Sequence, residues 1–151
     1  MSLKKLVWLI GLCALITGCA TNRQESSYEK NYASTDSATD MGMRYLLGRG
    51  VPKNNEKAFS YLSEAADNDP FAQNEIAYLY ATGKGTKQDY AKAFKYYQKA
   101  ANHDLASAQY NLGLFYLYGL GTEPNKTLAR KWFQKSAAHG FEPAKQALAQ
   151  Y

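Results

Sequence analysis

The chain contains very few of the residues that usually carry catalysis or bind metal ions. Only two of its 151 residues are cysteine and two are histidine. Both cysteines, Cys13 and Cys19, lie near the amino terminus. The sequence also lacks the G-x-S-x-G nucleophile motif, and it lacks the H-E-x-x-H and E-x-x-H motifs that combine histidine with a carboxylate. These absences predict a protein that is not an enzyme and that holds no metal and no cofactor.

The sequence also lacks a block of charges of one sign. It has 18 basic and 13 acidic residues, which gives a formal net charge of +5. The two signs are interspersed along the chain, so no basic segment forms of the kind that binds nucleic acid. We therefore predict that nucleic acid is not a partner.

One long apolar run is present, and it lies at the amino terminus. Lys4 and Lys5 precede the uncharged residues 6–16, LVWLIGLCALI. A basic start followed by an apolar run too short to span a membrane is typical of a secretory signal peptide. Residues 19–36 are polar without a sustained apolar period, which predicts a flexible tether.

Residues 15–19, LITGC, resemble the lipobox of bacterial lipoproteins. The resemblance implies a signal peptide over 1–18, transfer of diacylglycerol to the Cys19 thiol, cleavage before Cys19, and acylation of its new amino group. Ala20 and Thr21 follow in place of aspartate, which by resemblance favours the outer membrane. We therefore expect a palmitoylated lipoprotein anchored there, facing the periplasm. The alternatives are an ordinary cleaved signal with a free thiol, and a retained membrane anchor.

A G-x-G pattern occurs three times at nearly constant spacing. The first glycines lie 35 and 36 residues apart, and the six glycines are Gly48, Gly50, Gly83, Gly85, Gly119 and Gly121. A phosphate-binding loop is normally built once, whereas a feature at fixed period indicates repeats. The pairs are therefore predicted to be structural, each ending a helix with a glycine in the left-handed conformation.

Other residues recur in register with these glycines. An apolar residue, a small residue and a tyrosine precede each pair, as in residues 112–116, LGLFY. Asn54, Asp89 and Asn125 follow the pairs, and such residues cap helix amino termini. Each repeat is thus predicted to be two helices, with the second ending at Asp69, Asp104 or Gly140. His103 and His139, 36 residues apart, fall in the last turns of second helices, where they are predicted to be structural.

The shared pattern resembles the Sel1-like repeat, a relative of the tetratricopeptide repeat. The third copy matches best, with residues 108–121, AQYNLGLFYLYGLG. The resemblance covers residues 37–151 and implies an all-α, α/α superhelical solenoid. The three helix-turn-helix repeats are expected at about 37–71, 72–107 and 108–143, with a capping helix over 142–151. Some cysteine-rich members of the family act on β-lactams, but this chain lacks their cysteine pairs.

The first helix of the third repeat carries a second apolar stripe. Tyr110, Leu114, Leu117 and Tyr118 lie apart from the stripe of Leu112 and Tyr116 that is predicted to fill the core. By analogy with tetratricopeptide arrays, equivalent positions line a concave groove for a helix or an extended peptide. The predicted groove residues are Met43, Leu46, Leu47, Asn74, Tyr78, Tyr110, Leu114, Leu117 and Tyr118. The alternative is that a short array curls tightly and buries part of this stripe.

These features predict a non-catalytic lipoprotein that binds an envelope protein, as an interaction scaffold or as an assembly or regulatory adaptor of an envelope machine. The resemblance implies this role because members of the family take part in such machines. Two alternatives are a cell-wall enzyme or peptidoglycan- and β-lactam-binding protein, and a structural lipoprotein whose tyrosines stack on wall glycan.

Overall fold

The structure, a computed structural model, describes residues 37–150, and this segment is helical throughout apart from its turns. Predictions for residues 1–36, including Cys19, and for Tyr151 lie outside the described residues. Within them there are seven helices and no strand. The helices are α1 Ala38–Leu47, α2 Asn55–Ala65, α3 Pro70–Thr82, α4 Tyr90–Asn102, α5 Ala106–Tyr118, α6 Lys126–Ala138 and α7 Glu142–Gln150.

Each helix packs mainly on its neighbours in sequence. The first and second helices of each repeat form the pairs α1–α2, α3–α4 and α5–α6, and α2–α3, α4–α5 and α6–α7 join one unit to the next. Contacts limited to adjacent units are the property of a solenoid, in which stacking buries a continuous core. The predicted all-α array of three helix pairs and a final helix is confirmed.

The second helix of each repeat, which we call the outer helix (α2, α4 and α6), begins directly after the predicted capping residue. The side-chain oxygens of Asn54, Asp89 and Asn125 each accept a hydrogen bond of 2.9 Å from a backbone N–H three residues later. Each bond satisfies one of the amides that the first helical turn leaves without a backbone acceptor. The first helix of each repeat, which we call the inner helix (α1, α3 and α5), ends at Gly48, Gly83 or Gly119, as predicted.

The predicted ends of the outer helices are correct in two repeats and wrong in one. Asp104 and Gly140 adopt positive φ values of 60° and 82°. Asp69 instead has a φ of −113° and caps α3, accepting a 2.8 Å hydrogen bond from the backbone N–H of Phe71. The spacing between equivalent alanines is one residue shorter here, six from Ala66 to Ala72 against seven from Ala101 to Ala108, and α2 already ends at Ala65. Pro70 then begins α3, so Asp69 serves as the N-cap of that helix rather than as the end of α2.

The small residue that precedes each glycine pair allows the two helices of a repeat to approach closely, as at Gly42 and Gly113. A Cβ added at Gly42 would lie 2.5 Å from Leu62 Cγ, and one at Gly113 would lie 2.6 Å from Phe133 Cε1. Both distances are too short for nonbonded carbon atoms. The fully buried side chains Leu62, Tyr97 and Phe133 occupy equivalent positions and form the centre of the core.

The second glycine of a pair joins one repeat to the preceding one. A Cβ at Gly85 would lie 2.0 Å from the carbonyl oxygen of Asn55, and one at Gly121 would lie 2.3 Å from that of Tyr90. Asn55 and Tyr90 are the first residues of the preceding outer helices. Gly50 belongs to the first repeat, and no atom of the described residues lies within 4 Å of a Cβ added there. The second glycines Gly85 and Gly121 are thus inter-repeat contacts, a role that was not predicted from the sequence.

Tyr116, which was predicted to fill the core, is only half-buried, and so are Tyr45 and Tyr80 at the equivalent positions. Tyr45 stacks on Tyr61 with ring centroids 5.7 Å apart, and Tyr116 and Phe94 pack edge to face with centroids 5.3 Å apart. Trp132 is half-buried as well. These rings therefore cover the margins of the core, while Tyr97 and Phe133 occupy its centre.

Candidate interaction surface

The inner helices carry the residues that were predicted to line a groove, and the structure divides them into two groups. Buried residues are Leu46, Asn74, Tyr78, Tyr110 and Leu114. Half-buried residues are Met43, Leu47, Leu117 and Tyr118. The prediction of a groove lining is therefore wrong for the five buried residues, and the alternative that the array buries part of the stripe is correct.

Tyr110 shows why part of the stripe is buried. Only 6% of this residue is exposed. Its ring centroid lies 5.5 Å from that of Phe133 and 5.5 Å from that of Phe141. Phe141 immediately precedes α7, so the start of the final helix covers the third inner helix. Tyr110 belongs to the core, contrary to its predicted place on an open surface.

Buried polar side chains connect the inner helices α3 and α5. The Asn111 amide donates a 3.3 Å hydrogen bond to Asn74 Oδ1, and the Asn74 amide donates a 2.9 Å hydrogen bond to Glu75 Oε1. All three residues are at most 1% exposed. Burying a carboxyl group disfavours its charged form. Burial raises the pKa of Glu75 from 4.5 to about 7, against the opposing effect of the Asn74 hydrogen bond.

This raised pKa predicts a pH dependence of stability. Between pH 4.5 and about 7 the folded chain retains the Glu75 proton while the unfolded chain releases it. The free energy of unfolding therefore falls as pH rises through this range. Glu75→Gln is expected to remove this fall, on the order of 2–3 kcal/mol, and to stabilise the chain above pH 7. Urea unfolding of both proteins at pH 5 and pH 8 measures the effect.

Glu64, an exposed carboxylate on α2, provides the matched control for this experiment. The Glu64→Gln variant is expected to follow the pH profile of the wild type. Parallel pH profiles for the wild type and Glu75→Gln would show that Glu75 ionises in the folded chain as it does in the unfolded one.

The accessible part of the inner surface lies at the carboxyl ends of the inner helices. Leu47, Thr82 and Tyr118 occupy the same position in successive repeats and are all half-buried. We refer to these three residues as the inner row. Thr82 was not predicted because it is polar, although its register with Leu47 and Tyr118 could have identified it. The Thr82 hydroxyl donates a 2.8 Å hydrogen bond to the Tyr78 carbonyl oxygen.

A lysine lies beside the middle of this row. Lys84 Nζ donates a hydrogen bond to the hydroxyl of Tyr78 and sits 4.8 Å from the centre of the same ring. Attraction between an ammonium group and an aromatic ring holds such a side chain in place. The inner row and the neighbouring Lys84 together therefore present apolar side chains, a hydroxyl group and a positive charge. This combination suits binding of a polypeptide better than bond-making chemistry.

The histidines and carboxylates do not form a metal site in the described part of the chain. No group of three His, Cys, Asp or Glu side chains there could hold an ion. His103 and His139 are C-cap residues of α4 and α6. His139 Nε2 lies 3.9 Å from Asp104 Oδ1, which joins consecutive repeats. None of the helices over residues 37–150 combines the length and the apolar composition that crossing a membrane requires.

Comparison with a protein family agrees with the repeat boundaries in the structure. The sequence profile of the Sel1 repeat family matches residues 35–70, 70–105 and 106–141. Each matched segment contains one inner and one outer helix. The profile therefore covers most of the chain, including every residue of the inner row.

Solved structures of two similar proteins support the same fold. A Sel1 repeat protein from Oxalobacter formigenes is 34% identical, with a TM-score of 0.69 over 86% of this chain and 100% of that one. The protective antigen c5321 of uropathogenic Escherichia coli is 33% identical, with a TM-score of 0.67. The latter match covers 68% of this chain but only 22% of the antigen.

A third similar structure is the cysteine-rich protein B of Helicobacter pylori. It is 25% identical, with a TM-score of 0.64 over 85% of this chain and 98% of the Helicobacter protein. The residues of the present chain over 37–151 contain no cysteine, so this fold forms here without disulfide bonds. No curated protein gives a significant match.

Proposed function

Because this chain belongs to the Sel1 repeat family, we propose that it is a scaffold of the cell envelope that binds a protein partner along its inner row. Sel1 repeats generally mediate protein–protein interactions, and their fold is typically a non-catalytic scaffold. The proposal adds to this general property a location in the cell and a particular binding surface.

The observation that carries the proposal is the repetition of accessible side chains in the inner row. Leu47, Thr82 and Tyr118 lie at intervals of 35 and 36 residues and are all half-buried, whereas the preceding position is buried in the first two repeats, at Leu46 and Ala81. A solenoid presents equivalent residues on the same side of successive repeats. A linear segment of a partner can therefore contact all three repeats in turn, with Tyr118 as an aromatic anchor.

Photo-crosslinking in living cells tests this proposal. A photoreactive phenylalanine analogue placed at position 118 is expected to capture one protein in stoichiometric amount. The same analogue at Ser63, which is exposed on the outer helix α2, is the matched control and is expected not to capture it. Capture of wall glycan alone at position 118, or equal capture of the protein from both positions, would contradict a protein-binding inner row.

The location in the envelope is proposed from the amino-terminal sequence. A basic start, an apolar run and the LITGC segment support lipidation of Cys19. Acyl chains gain about 0.8 kcal/mol for each buried CH₂ group, so several chains anchor a protein stably. The lipid would hold the repeat array at the outer membrane, on the periplasmic side.

Cys19→Ser is expected to prevent lipid transfer, because serine cannot form the thioether. The variant should accumulate as unprocessed precursor and lose its position in the outer-membrane fraction. Cys13→Ser, which changes the other cysteine within the predicted signal peptide, is the control and should be processed normally. Metabolic labelling with palmitate and membrane fractionation measure both effects. A labelled, outer-membrane Cys19→Ser protein would contradict the lipoprotein proposal.

A further inference from the structure

The folded array separates charges that are interspersed along the sequence. The outer helix α4 contains three lysines and α6 contains three lysines and one arginine, and neither helix contains an acidic residue. The outer helix of the first repeat differs, since α2 contains Lys57 together with Glu56 and Glu64. The outer face of the second and third repeats is therefore strongly basic.

Four of these bases follow a motif that the second and third repeats share. Residues 95–99 read KYYQK and residues 131–135 read KWFQK, whereas the equivalent residues 60–64 of the first repeat read SYLSE. The two motifs are 36 residues apart, so their side chains point to the same side of the array. The lysines Lys95, Lys99, Lys131 and Lys135 are all exposed, and we call them the lysine quartet.

Aromatic rings lie between the lysines of each motif. Lys99 Nζ lies 5.4 Å from the centre of the Tyr96 ring, and Lys135 Nζ lies 4.5 Å from the centre of the Trp132 ring. Both rings are half-buried and pack on the core. Among residues 37–150, no carboxylate forms an ion pair with any lysine of the quartet. The positive charge of this surface is therefore not neutralised within the array.

We propose that the lysine quartet, with Tyr96 and Trp132, rests on the surface of an anionic phospholipid bilayer. Each base near an anionic bilayer strengthens binding about fivefold, so four bases together are sufficient for stable contact. Tyrosine and tryptophan are favoured at the depth of lipid headgroups, where one end of the ring is apolar and the other is wet. The half-buried rings and the projecting ammonium groups suit contact with headgroups rather than deep insertion.

An acidic protein is a less suitable occupant of this surface. Protein interfaces are depleted of lysine and enriched in arginine, because the strongly hydrated ammonium group is costly to enclose. All four members of the quartet are lysine. A bilayer leaves such groups partly hydrated, so it makes use of their charge without enclosing them. The inner row lies on the other helix of each repeat and remains available for a protein partner.

The fluorescence of Trp132 provides a direct test, because the chain contains only two tryptophans. The Trp8→Phe variant of the full chain has Trp132 as its single tryptophan. All tryptophan fluorescence then comes from Trp132, even if the predicted signal peptide is not cleaved. This protein is reconstituted into vesicles of phosphatidylcholine with about one third phosphatidylglycerol, with or without a nitroxide-labelled headgroup. We expect the nitroxide to quench Trp132 strongly at about 0.1 M salt and weakly at about 0.5 M salt.

Two variants, each of which removes four positive charges, identify the residues responsible for the quenching of Trp132. Replacing the lysine quartet by glutamine is expected to reduce quenching at least threefold, to the level seen in pure phosphatidylcholine. The control replaces Arg49, Lys53, Lys87 and Lys145, which are exposed on other helices and loops, and it should keep the original quenching. A Lys95→Gln, Lys99→Gln double variant, which leaves the residues beside Trp132 unchanged, is expected to lose part of the quenching. Circular dichroism checks that all variants are folded.

Quenching that is equal in neutral and anionic vesicles, or equal in the quartet and control variants, would overturn the proposal. A quartet-dependent shift of Trp132 emission with soluble polyglutamate, without quenching by anionic vesicles, would also overturn it. That result would assign the surface to an acidic protein.

Discussion

Gly121→Ala is expected to lower the free energy of unfolding by about 2–4 kcal/mol. One part of this loss arises because Gly121 has a φ of +66°, where a side chain costs about 1 kcal/mol or more. The larger part arises because the new Cβ would lie 2.3 Å from the Tyr90 carbonyl oxygen and 2.8 Å from Ala91 Cα. These are backbone atoms of the preceding repeat, so they cannot rotate away. The change therefore separates two repeats.

Gly50→Ala is the matched control for this prediction. Gly50 has a φ of +72° but no atom within 4 Å of an added Cβ, so only the backbone cost of about 1 kcal/mol is expected. Urea unfolding of the two variants measures the difference. An equal loss of unfolding free energy in Gly121→Ala and Gly50→Ala would show that the second glycine of each pair is needed only for the conformation of its own turn and does not join neighbouring repeats.

Tyr110→Ala is expected to destabilise the chain by about 3–5 kcal/mol, the usual cost of removing a buried aromatic side chain. The ring lies between Phe133 and Phe141, and its removal leaves a cavity where the final helix meets the third repeat. Tyr118→Ala, on the same helix but half-buried, is expected to cost less than about 1.5 kcal/mol.

Thermal and urea unfolding of these two variants, side by side, provide the measurement. A Tyr110→Ala protein as stable as Tyr118→Ala would mean that the end of the array is open and that the apolar stripe is free along its whole length. Loss of α7 contacts in the Tyr110→Ala variant is expected to appear first as faster amide hydrogen exchange in residues 142–150.

The fold can be predicted well from the sequence because each repeat contains the same helix-capping and helix-ending residues. Asn54, Asp89 and Asn125 cap helices through their own side chains, and the capping hydrogen bonds depend only on neighbouring residues. The spacing of equivalent alanines, six residues from Ala66 to Ala72 against seven from Ala101 to Ala108, already indicates that the first inter-repeat connection differs from the second. Each local pattern alone is weak evidence, but three copies in register strongly predict a helical array.

The candidate surface was harder to predict because burial depends on what lies beyond a repeat. Thr39, Asn74 and Tyr110 occupy equivalent positions and are all buried, but against different neighbours, which are Asp69 for Thr39, Asn111 for Asn74 and Phe141 for Tyr110. The repeat pattern predicts the same environment for these positions, whereas the neighbours that cover them differ from repeat to repeat. The pKa of Glu75 likewise follows from burial between helices that are distant in sequence.

The charged outer surface could have been found from the sequence by comparing repeats position by position. Net charge conceals it, since acids elsewhere offset the bases of α4 and α6. The motifs KYYQK and KWFQK are visible without a structure. The accessibility of the lysines and the placement of Lys99 and Lys135 over aromatic rings required the folded array.

The most direct test of the central claim is the affinity of the crosslinked partner for a variant of the inner row. Leu47→Ser and Tyr118→Ser together remove its two apolar members, and Tyr61→Ser removes a half-buried ring of the outer helix α2 as a control. We expect the double variant to bind the purified partner at least about tenfold more weakly by calorimetric titration, while remaining folded. The control should bind as the wild type does. Unchanged affinity in a folded double variant would contradict the claim that the inner row is the binding surface.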